Sequence, residues 1–127
     1  MHRSRLTAAL FDVPAGVMEV ETSFWCGALG TTAKRSAHDP EYALLDGLFS
    51  GLQVMVQQVG QGTPARVHLD VESDNVEAEV ARLEALGATR VEMVKKWWIM
   101  RDPAGLLFCV VPVQSPPEFE AHATTWD

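Results

Sequence analysis

The segment from Arg66 to Gly87 constrains the fold most, because it passes directly from a strand pattern to a helix pattern. The letters RVHLDVES alternate between apolar and polar residues, which predicts a half-buried strand. In DNVEAEVARLEALG, apolar residues recur at helical spacing, Asp74 and Glu77 suit a capping box, and Gly87 suits the helix end. We therefore predict a strand followed by an amphipathic helix. The polar face of the strand carries His68, Asp70 and Glu72.

The same order of elements occurs twice in the chain. After the helix come three strand patterns, TRVEMV, KWWIMRD and LLFCVVP. The first half offers the strand RLTAALFDV, a helix over 17–30, and the strands TTAKRSA, EYALLDGL and LQVMVQQV. The linker GQGTPA, residues 60–65, lies between the halves. Each half therefore reads β-α-β-β-β, which indicates a structural repeat.

A length of 127 residues suits one compact domain that can bury a hydrophobic core. We predict an α+β domain over 1–127, with module one at about 5–59, the linker at 60–65, module two at about 66–113 and a tail at 114–127. One helix covers only one face of a four-stranded half. The two modules are therefore expected to form a curved mixed sheet around a central trough, with the helices on the outside.

Charge and composition argue against two classes of partner, nucleic acids and membranes. The chain has 10 basic and 17 acidic residues, a net charge of −7, which disfavours nucleic acid. No apolar run approaches the roughly 20 residues that span a bilayer, so no membrane association is expected. Asp12 interrupts the first apolar stretch too early for a signal peptide. With Cys26 and Cys109 far apart, we expect two reduced thiols in a cytoplasmic protein.

Several segments, taken in order, resemble the vicinal oxygen chelate superfamily of glyoxalases, bleomycin-resistance proteins and extradiol dioxygenases, and within it the glyoxalase-like domains. They are TSFWCGALG, HDPEYALL, QVMVQQV, RVHLDV, EVARLEALGATRV and WWIMRDPAGLLFCVVP, and they cover about residues 6–113. This superfamily hosts isomerases, lyases, dioxygenases, thiol transferases and metal-free binding proteins, so the resemblance implies a fold and leaves the activity open. It also implies a homodimer, and a tail with Phe119 and Trp126 that docks on the body or on a second subunit.

The resemblance also predicts where a metal would bind. Members with a divalent metal place four ligands on the trough face, one on the opening and one on the closing strand of each module. His68 matches one ligand, Cys109 replaces a glutamate, Gln57 is nearest to another, and residues 6–11 offer none. A Cys/His pair suits zinc, but zinc sites usually hold three or four protein ligands. We therefore expect no cofactor and no complete metal site; a divalent metal, if bound, would use His68 and Gln57.

The trough lining follows from the predicted strand faces and the resemblance. If the last hairpin turns about 102–106, Trp98, Met100 and Cys109 share the trough face, whereas Trp97 and Ile99 pack under the helices. Cys109 is interpreted as a buried structural cysteine, because no base is adjacent in sequence. The residues predicted to contact a ligand are Gln53, Met55, Gln57, His68, Asp70, Trp98, Met100 and Cys109.

His68 has three open interpretations: a polar strand residue bonded to Asp70, Gln57 or water, a metal ligand, or a general base. The sequence favours a glyoxalase/bleomycin-resistance-like protein that binds a small organic molecule in the trough. The alternative is a lyase or isomerase of the same superfamily, with His68 as the catalytic base or as ligand of a divalent metal. A third option is a purely structural or partner-binding module. Whether the chain is an enzyme stays open at this point.

Overall fold

The structure is a computed structural model that describes residues 1–127. It contains nine strands and three helices, in the order β1 (His2–Pro14), α1 (Met18–Leu29), β2 (Ala33–Arg35), β3 (Tyr42–Leu45), β4 (Gln53–Val59), β5 (Arg66–Ser73), α2 (Val76–Ala85), β6 (Thr89–Val94), β7 (Trp97–Arg101), β8 (Leu107–Pro112), α3 (Pro116–His122) and β9 (Thr124–Trp126). This order confirms the α+β class and the β-α-β-β-β pattern of both halves. None of the three helices has the length and apolar character needed to cross a membrane.

The chain divides into two compact units, and the first, called here the N-terminal unit, comprises residues 8–67. In its mixed sheet, β4 pairs with β1 in parallel and with β3 antiparallel, and β3 pairs antiparallel with β2. Helix α1 ends at Leu29, and its C-cap Gly30 has the left-handed backbone that glycine adopts without strain. The sheet and α1 enclose a core of Val13, Met18, Ala43, Leu45, Val54 and Val56.

The second unit, called here the C-terminal unit, comprises residues 1–7 and 68–127. Its sheet pairs β5 with β8 in parallel, followed by the antiparallel strands β7 and β6. Helix α2 packs on this sheet over a core of Val80, Met100 and Val110. The predicted capping box at the start of α2 was wrong by one residue. Asn75 caps the helix, with its side chain accepting from the Ala78 backbone N–H.

The tail docks on the body of the C-terminal unit, which is one of the two positions expected for it. Strand β9 pairs antiparallel with the start of β1. Phe119 of α3 is 1 % exposed, and the Trp126 Nε1–H donates to Ser4 Oγ at 2.8 Å. The buried Phe119 and the half-buried Trp126, rather than the length of the short helix, hold this segment in place.

Candidate functional site

Strand β5 presents its polar residues on one face of the C-terminal unit. Because side chains alternate along a strand, His68 and Asp70 lie on one face of the sheet and Leu69 lies on the other. In the parallel register with β8, Asp70 lies opposite Cys109 and Leu69 lies opposite Phe108. Phe108 packs against the core under α2. His68, Asp70 and Cys109 therefore lie together on the face opposite that helix.

The imidazole, carboxylate and thiol of these three residues converge. One potential ligand atom from each side chain lies within 4.8 Å of the other two. His68 Nε2 is 3.2 Å from Asp70 Oδ1, and His68 is 8 % exposed. Asp70 Oδ1 is buried and accepts no hydrogen bond, so its contact with His68 is that of an ion pair when the imidazole is protonated. We name His68, Asp70 and Cys109 the His-Asp-Cys cluster.

Trp98 and Met100 do not share the face of Cys109, and that prediction was wrong. In the register of β7 and β8, Ile99 lies opposite Cys109. The two strands are joined by the five residues 102–106, the turn that the sequence analysis assumed. A loop of five residues pairs Arg101 with Leu107 and therefore Ile99 with Cys109, so the predicted turn itself places Trp98 and Met100 on the other face. Met100 is fully buried in the core beneath α2, and Trp98 packs against the same core.

Trp98 is held on the helix side by polar contacts as well as by packing. Its Nε1–H donates to Glu77 at 2.6 Å, and the Arg90 guanidinium lies 4.8 Å above the ring. The hydrogen bonds from Trp98 and then from Arg90 hold the pKa of the Glu77 carboxyl below its ordinary value. On the opposite face, the positions near Cys109 belong to the half-buried side chains of Ile99 and Trp97.

Gln53, Met55 and Gln57 lie on the face of β4 opposite α1, as predicted. The intervening residues Val54 and Val56 belong to the core under that helix. The Gln57 side-chain amide donates to the Tyr42 hydroxyl at 2.9 Å. These three residues belong to the N-terminal unit, whereas the His-Asp-Cys cluster belongs to the C-terminal unit.

The group of potential metal ligands differs from the one expected from the sequence. The expected pair was His68 and Gln57, which belong to different units. The structure instead brings Asp70 and Cys109 to His68. Cys109 was expected to be buried, but it is half-buried, and Asp70 of β5, a strand distant in sequence, lies opposite it. A nitrogen, an oxygen and a sulfur donor together suit a borderline-soft ion.

Asp12 is a polar residue of the N-terminal unit that the sequence analysis missed. It lies opposite Gln57 in the register of β1 and β4, so both share the face away from α1. Asp12 is 2 % exposed, and its Oδ2 lies 3.3 Å from Arg66 Nε. The available signal was a carboxylate within the apolar strand TAALFDV, since charged residues are seldom buried without a partner.

Glu72, the third polar residue of β5, has a structural role. It is fully buried and accepts a hydrogen bond from Arg5 Nε at 2.7 Å. Its other oxygen accepts from the backbone N–H groups of Gln114 and Ser115. Glu72 therefore attaches the start of the tail to the sheet, and its carboxylate is occupied by these bonds.

Comparison with known proteins identifies the family to which this fold is similar. The sequence family described as "Glyoxalase-like domain" matches residues 9–111. No curated protein matches the chain by sequence. Among solved structures, the NAD-dependent benzaldehyde dehydrogenase of Legionella pneumophila superposes with a TM-score of 0.63 at 13 % identity, covering 84 % of this chain and 98 % of that one. Methylmalonyl-CoA epimerase of Mycobacterium tuberculosis gives 0.60 at 14 % identity, covering 88 % and 89 %.

A third similar structure is the Mn(II)-bound glyoxalase of Novosphingobium aromaticivorans. It gives a TM-score of 0.57 at 17 % identity, and the match covers 88 % of this chain but 40 % of that one. At identities this low, the structural likeness supports the fold and says nothing of the reaction.

Proposed function

The chain belongs to the glyoxalase-like domain family, and from that premise we propose that it binds a small organic molecule at the His-Asp-Cys cluster. The observation that carries the proposal is the convergence of three polar side chains within 4.8 Å on one sheet face. Small-molecule sites combine a few converging polar groups with apolar and aromatic side chains. Ile99 and Trp97 supply that apolar surface on the same face, and both are half-buried.

The residues available at the cluster indicate which ligands fit. His68 and Cys109 offer a ring nitrogen and a thiol, and Asp70 offers a buried acceptor. Trp97 offers an aromatic face, on which a planar group can stack. A compact molecule with a carbonyl or hydroxyl group and a planar or apolar part matches this combination. Methylmalonyl-CoA epimerase and a glyoxalase, which share the fold, are likewise named for reactions of organic compounds.

A thermal-shift screen tests this proposal. The panel contains small carbonyl compounds, hydroxy acids and planar aromatic compounds, each measured against the unmodified chain, His68→Ala and His122→Ala. His122 is an exposed histidine of α3 and serves as the matched control. A ligand present at 100 times its Kd stabilises a protein by about 2.7 kcal/mol.

We expect one chemical class to raise the melting temperature of the unmodified chain and of His122→Ala, but not of His68→Ala. If no class stabilises the unmodified chain, or if His68→Ala responds equally, the proposed site is wrong.

The second candidate is a lyase or isomerase reaction in which His68 removes a proton from the bound molecule. It is favoured by the 3.2 Å separation between His68 Nε2 and Asp70 Oδ1. A carboxylate at that distance stabilises the imidazolium that forms when the ring accepts a proton. Such a reaction exchanges a carbon-bound proton of the ligand with solvent.

Proton NMR in heavy water tests this second candidate on any compound that stabilises the chain. We expect the signal of one C–H group to disappear with the unmodified chain and to persist with His68→Gln. Binding without any such exchange would identify a binding protein and exclude the lyase or isomerase reaction for that compound.

A further inference from the structure

We propose that Cys109 is a nucleophile, activated by His68, that adds to α,β-unsaturated carbonyl compounds and forms a covalent thioether. The inference rests on the proposed function, because the same cluster would bind the molecule, and it adds the chemical class of that molecule and the bond that it forms. Cys109 is half-buried, and reactive cysteines are typically partly exposed.

The first argument is the proximity of a base to the thiol. A potential ligand atom of His68 lies within 4.8 Å of the sulfur of Cys109. The thiolate, rather than the thiol, is the nucleophile, so an imidazole that accepts the thiol proton activates the sulfur. Before a substrate binds, the distance between a nucleophile and its base is often longer than a hydrogen bond. The separation found here fits that arrangement.

The second argument is the carboxylate beside the imidazole. Asp70 Oδ1 lies 3.2 Å from His68 Nε2, and Asp70 lies opposite Cys109 in the register of β5 and β8. When His68 accepts the thiol proton, the ring becomes positively charged and forms an ion pair with Asp70. This transfer leaves the net charge of the three side chains unchanged, so it needs no additional counter-charge. Asp70 is therefore a positioning residue that orients the base.

The third argument is the contrast between the two thiols of the chain. Cys26 is also half-buried, but it packs against the core of the N-terminal unit and does not belong to the cluster. The two thiols therefore share their degree of burial and differ in their neighbours. A difference in reactivity between them would report the effect of His68 on Cys109.

The surface beside Cys109 indicates the class of electrophile. Trp97 and Ile99 are half-buried on the same face of the sheet. The Trp97 ring offers a surface on which a planar group can stack, and a carbonyl group conjugated with a carbon–carbon double bond is planar. Sulfur is soft and polarizable, which suits attack on the β-carbon of such a conjugated system.

The addition needs no group beyond the cluster and the electrophile. His68 accepts the thiol proton of Cys109, and the sulfur electron pair forms a bond to the β-carbon. The π bond between the α- and β-carbons breaks, and its electrons move onto the carbonyl oxygen as an enolate. The imidazolium then returns the proton to the α-carbon, which restores the carbonyl group and the neutral ring. The product contains every atom of both reactants, and nothing is oxidised or reduced.

Cyclohex-2-en-1-one is the probe, because it is compact and conjugated and reacts slowly with ordinary thiols. The reduced chain, freed of reductant, is treated with excess probe at neutral pH, and peptide mass spectrometry follows the adduct on each cysteine. We expect Cys109 to react at least tenfold faster in the folded than in the urea-unfolded chain, because a positioned base contributes about 10²–10⁴-fold. Cys26 should react no faster in the folded chain. This comparison does not depend on the folding of a variant.

Variants test the role of each member of the cluster. Cys109→Ser should abolish the fast adduct, and Cys26→Ser, the matched control, should retain it. His68→Ala should slow the addition at least tenfold, whereas His122→Ala, which changes an exposed histidine, should not. Added imidazole should restore part of the rate in His68→Ala, an effect that a purely structural role would not produce. Asp70→Asn should slow the addition, and Asp70→Glu, which keeps the charge, should recover part of the rate.

Three results would each overturn the activated nucleophile. They are equal rates for Cys109 in the folded and unfolded chain, an unchanged rate in His68→Ala, and a slow rate in His68→Ala that imidazole does not raise. An unchanged rate in Asp70→Asn would overturn the positioning role of Asp70.

The outcomes also separate this inference from the proposed function. A saturated compound that stabilises the chain, together with no acceleration at Cys109 on folding, rejects the nucleophile and leaves the binding function standing. Fast addition that depends on His68, with no compound of the thermal-shift panel stabilising the chain, supports the nucleophile and rejects the binding function.

Discussion

His2 Nε2 lies 2.7 Å from Glu79 Oε2, and both residues are buried in the C-terminal unit. The same carboxylate accepts hydrogen bonds from Ser4 Oγ and from the Arg82 guanidinium. The Arg82 guanidinium lies 3.7 Å from the ring centroid of Trp126. Glu79 therefore joins the first strand, helix α2 and the tail through one buried acceptor.

Glu79 should make the stability of the chain depend on pH in the acidic range. Burial raises the pKa of this carboxyl, but hydrogen bonds from Arg82, His2 and Ser4 outweigh burial and hold it below its ordinary value of 4.5. A lowered folded-state pKa stabilises the fold above the ordinary value, and this contribution is lost as the pH falls through the folded-state pKa. Urea unfolding at several pH values between 7 and 3 measures the effect.

Glu79→Gln should lower the free energy of unfolding at pH 7 by about 3 kcal/mol, the typical cost of removing one partner of a buried ion pair. The variant should also lose less stability on acidification than the unmodified chain does. Glu19→Gln is the control, because its side chain is 82 % exposed. Parallel acid profiles for the unmodified chain and Glu79→Gln would contradict this account.

Glu72→Gln should loosen the tail before it unfolds the rest of the C-terminal unit. The carboxylate of Glu72 accepts from the backbone N–H groups of Gln114 and Ser115, and Arg5 is its buried ionic partner. A neutral amide accepts more weakly than a carboxylate and leaves Arg5 without its charge partner. Hydrogen exchange followed by mass spectrometry should show faster exchange over 114–126 and unchanged exchange over 18–29. Uniform acceleration over both segments would contradict the local role of Glu72.

The sequence predicted the features that depend on local pattern. The alternation of RVHLDVES and the apolar spacing of the next helix placed β5 and α2, because these periods depend only on neighbours along the chain. The first residue of a helix is less well determined, and Asn75 rather than Asp74 forms the cap. Adjacent candidates for a cap differ by one peptide unit, and tertiary contacts decide between them. Asp74 is instead bound by Arg3.

Features that depend on pairing between strands distant in sequence were not available from the sequence. The faces of Trp98 and Met100 are a different case, because the predicted turn at 102–106 is the observed one and already places Ile99 opposite Cys109. The neighbours of Cys109 come from β5, which is separated from it by a helix and two strands. Residue types at His68, Asp70 and Cys109 could therefore be named as candidates, but their convergence required the structure.

The cap of α2 gives a prediction that distinguishes Asn75 from Asp74. The Asn75 side chain accepts from the Ala78 backbone N–H at 3.0 Å, whereas Asp74 is bound to Arg3 and makes no bond to the helix. Asn75→Ala should destabilise the chain by about 1 kcal/mol, the usual cost of losing an N-cap side chain. It should also accelerate exchange of the Ala78 amide. Asp74→Ala should leave the exchange rate of the Ala78 amide unchanged. Faster exchange in this variant, and not in Asn75→Ala, would show that Asp74 caps the helix.

The register of the last hairpin can be tested by comparing two methionines. Met100 is fully buried between Val80 and Val110, whereas Met93 on the neighbouring strand is 47 % exposed. Truncation of a buried methionine removes apolar contacts and leaves a cavity, at a cost of roughly 2–5 kcal/mol, whereas exposed positions usually change stability by about 0.5 kcal/mol or less. Met100→Ala should therefore lower the free energy of unfolding several times more than Met93→Ala. Chemical denaturation of the two variants measures the difference.

If Met100 instead faced away from α2, as the sequence alone suggested, its truncation would leave the core beneath the helix intact. Comparable small losses for both variants would therefore reject the register described here and return Met100 to the face of Cys109.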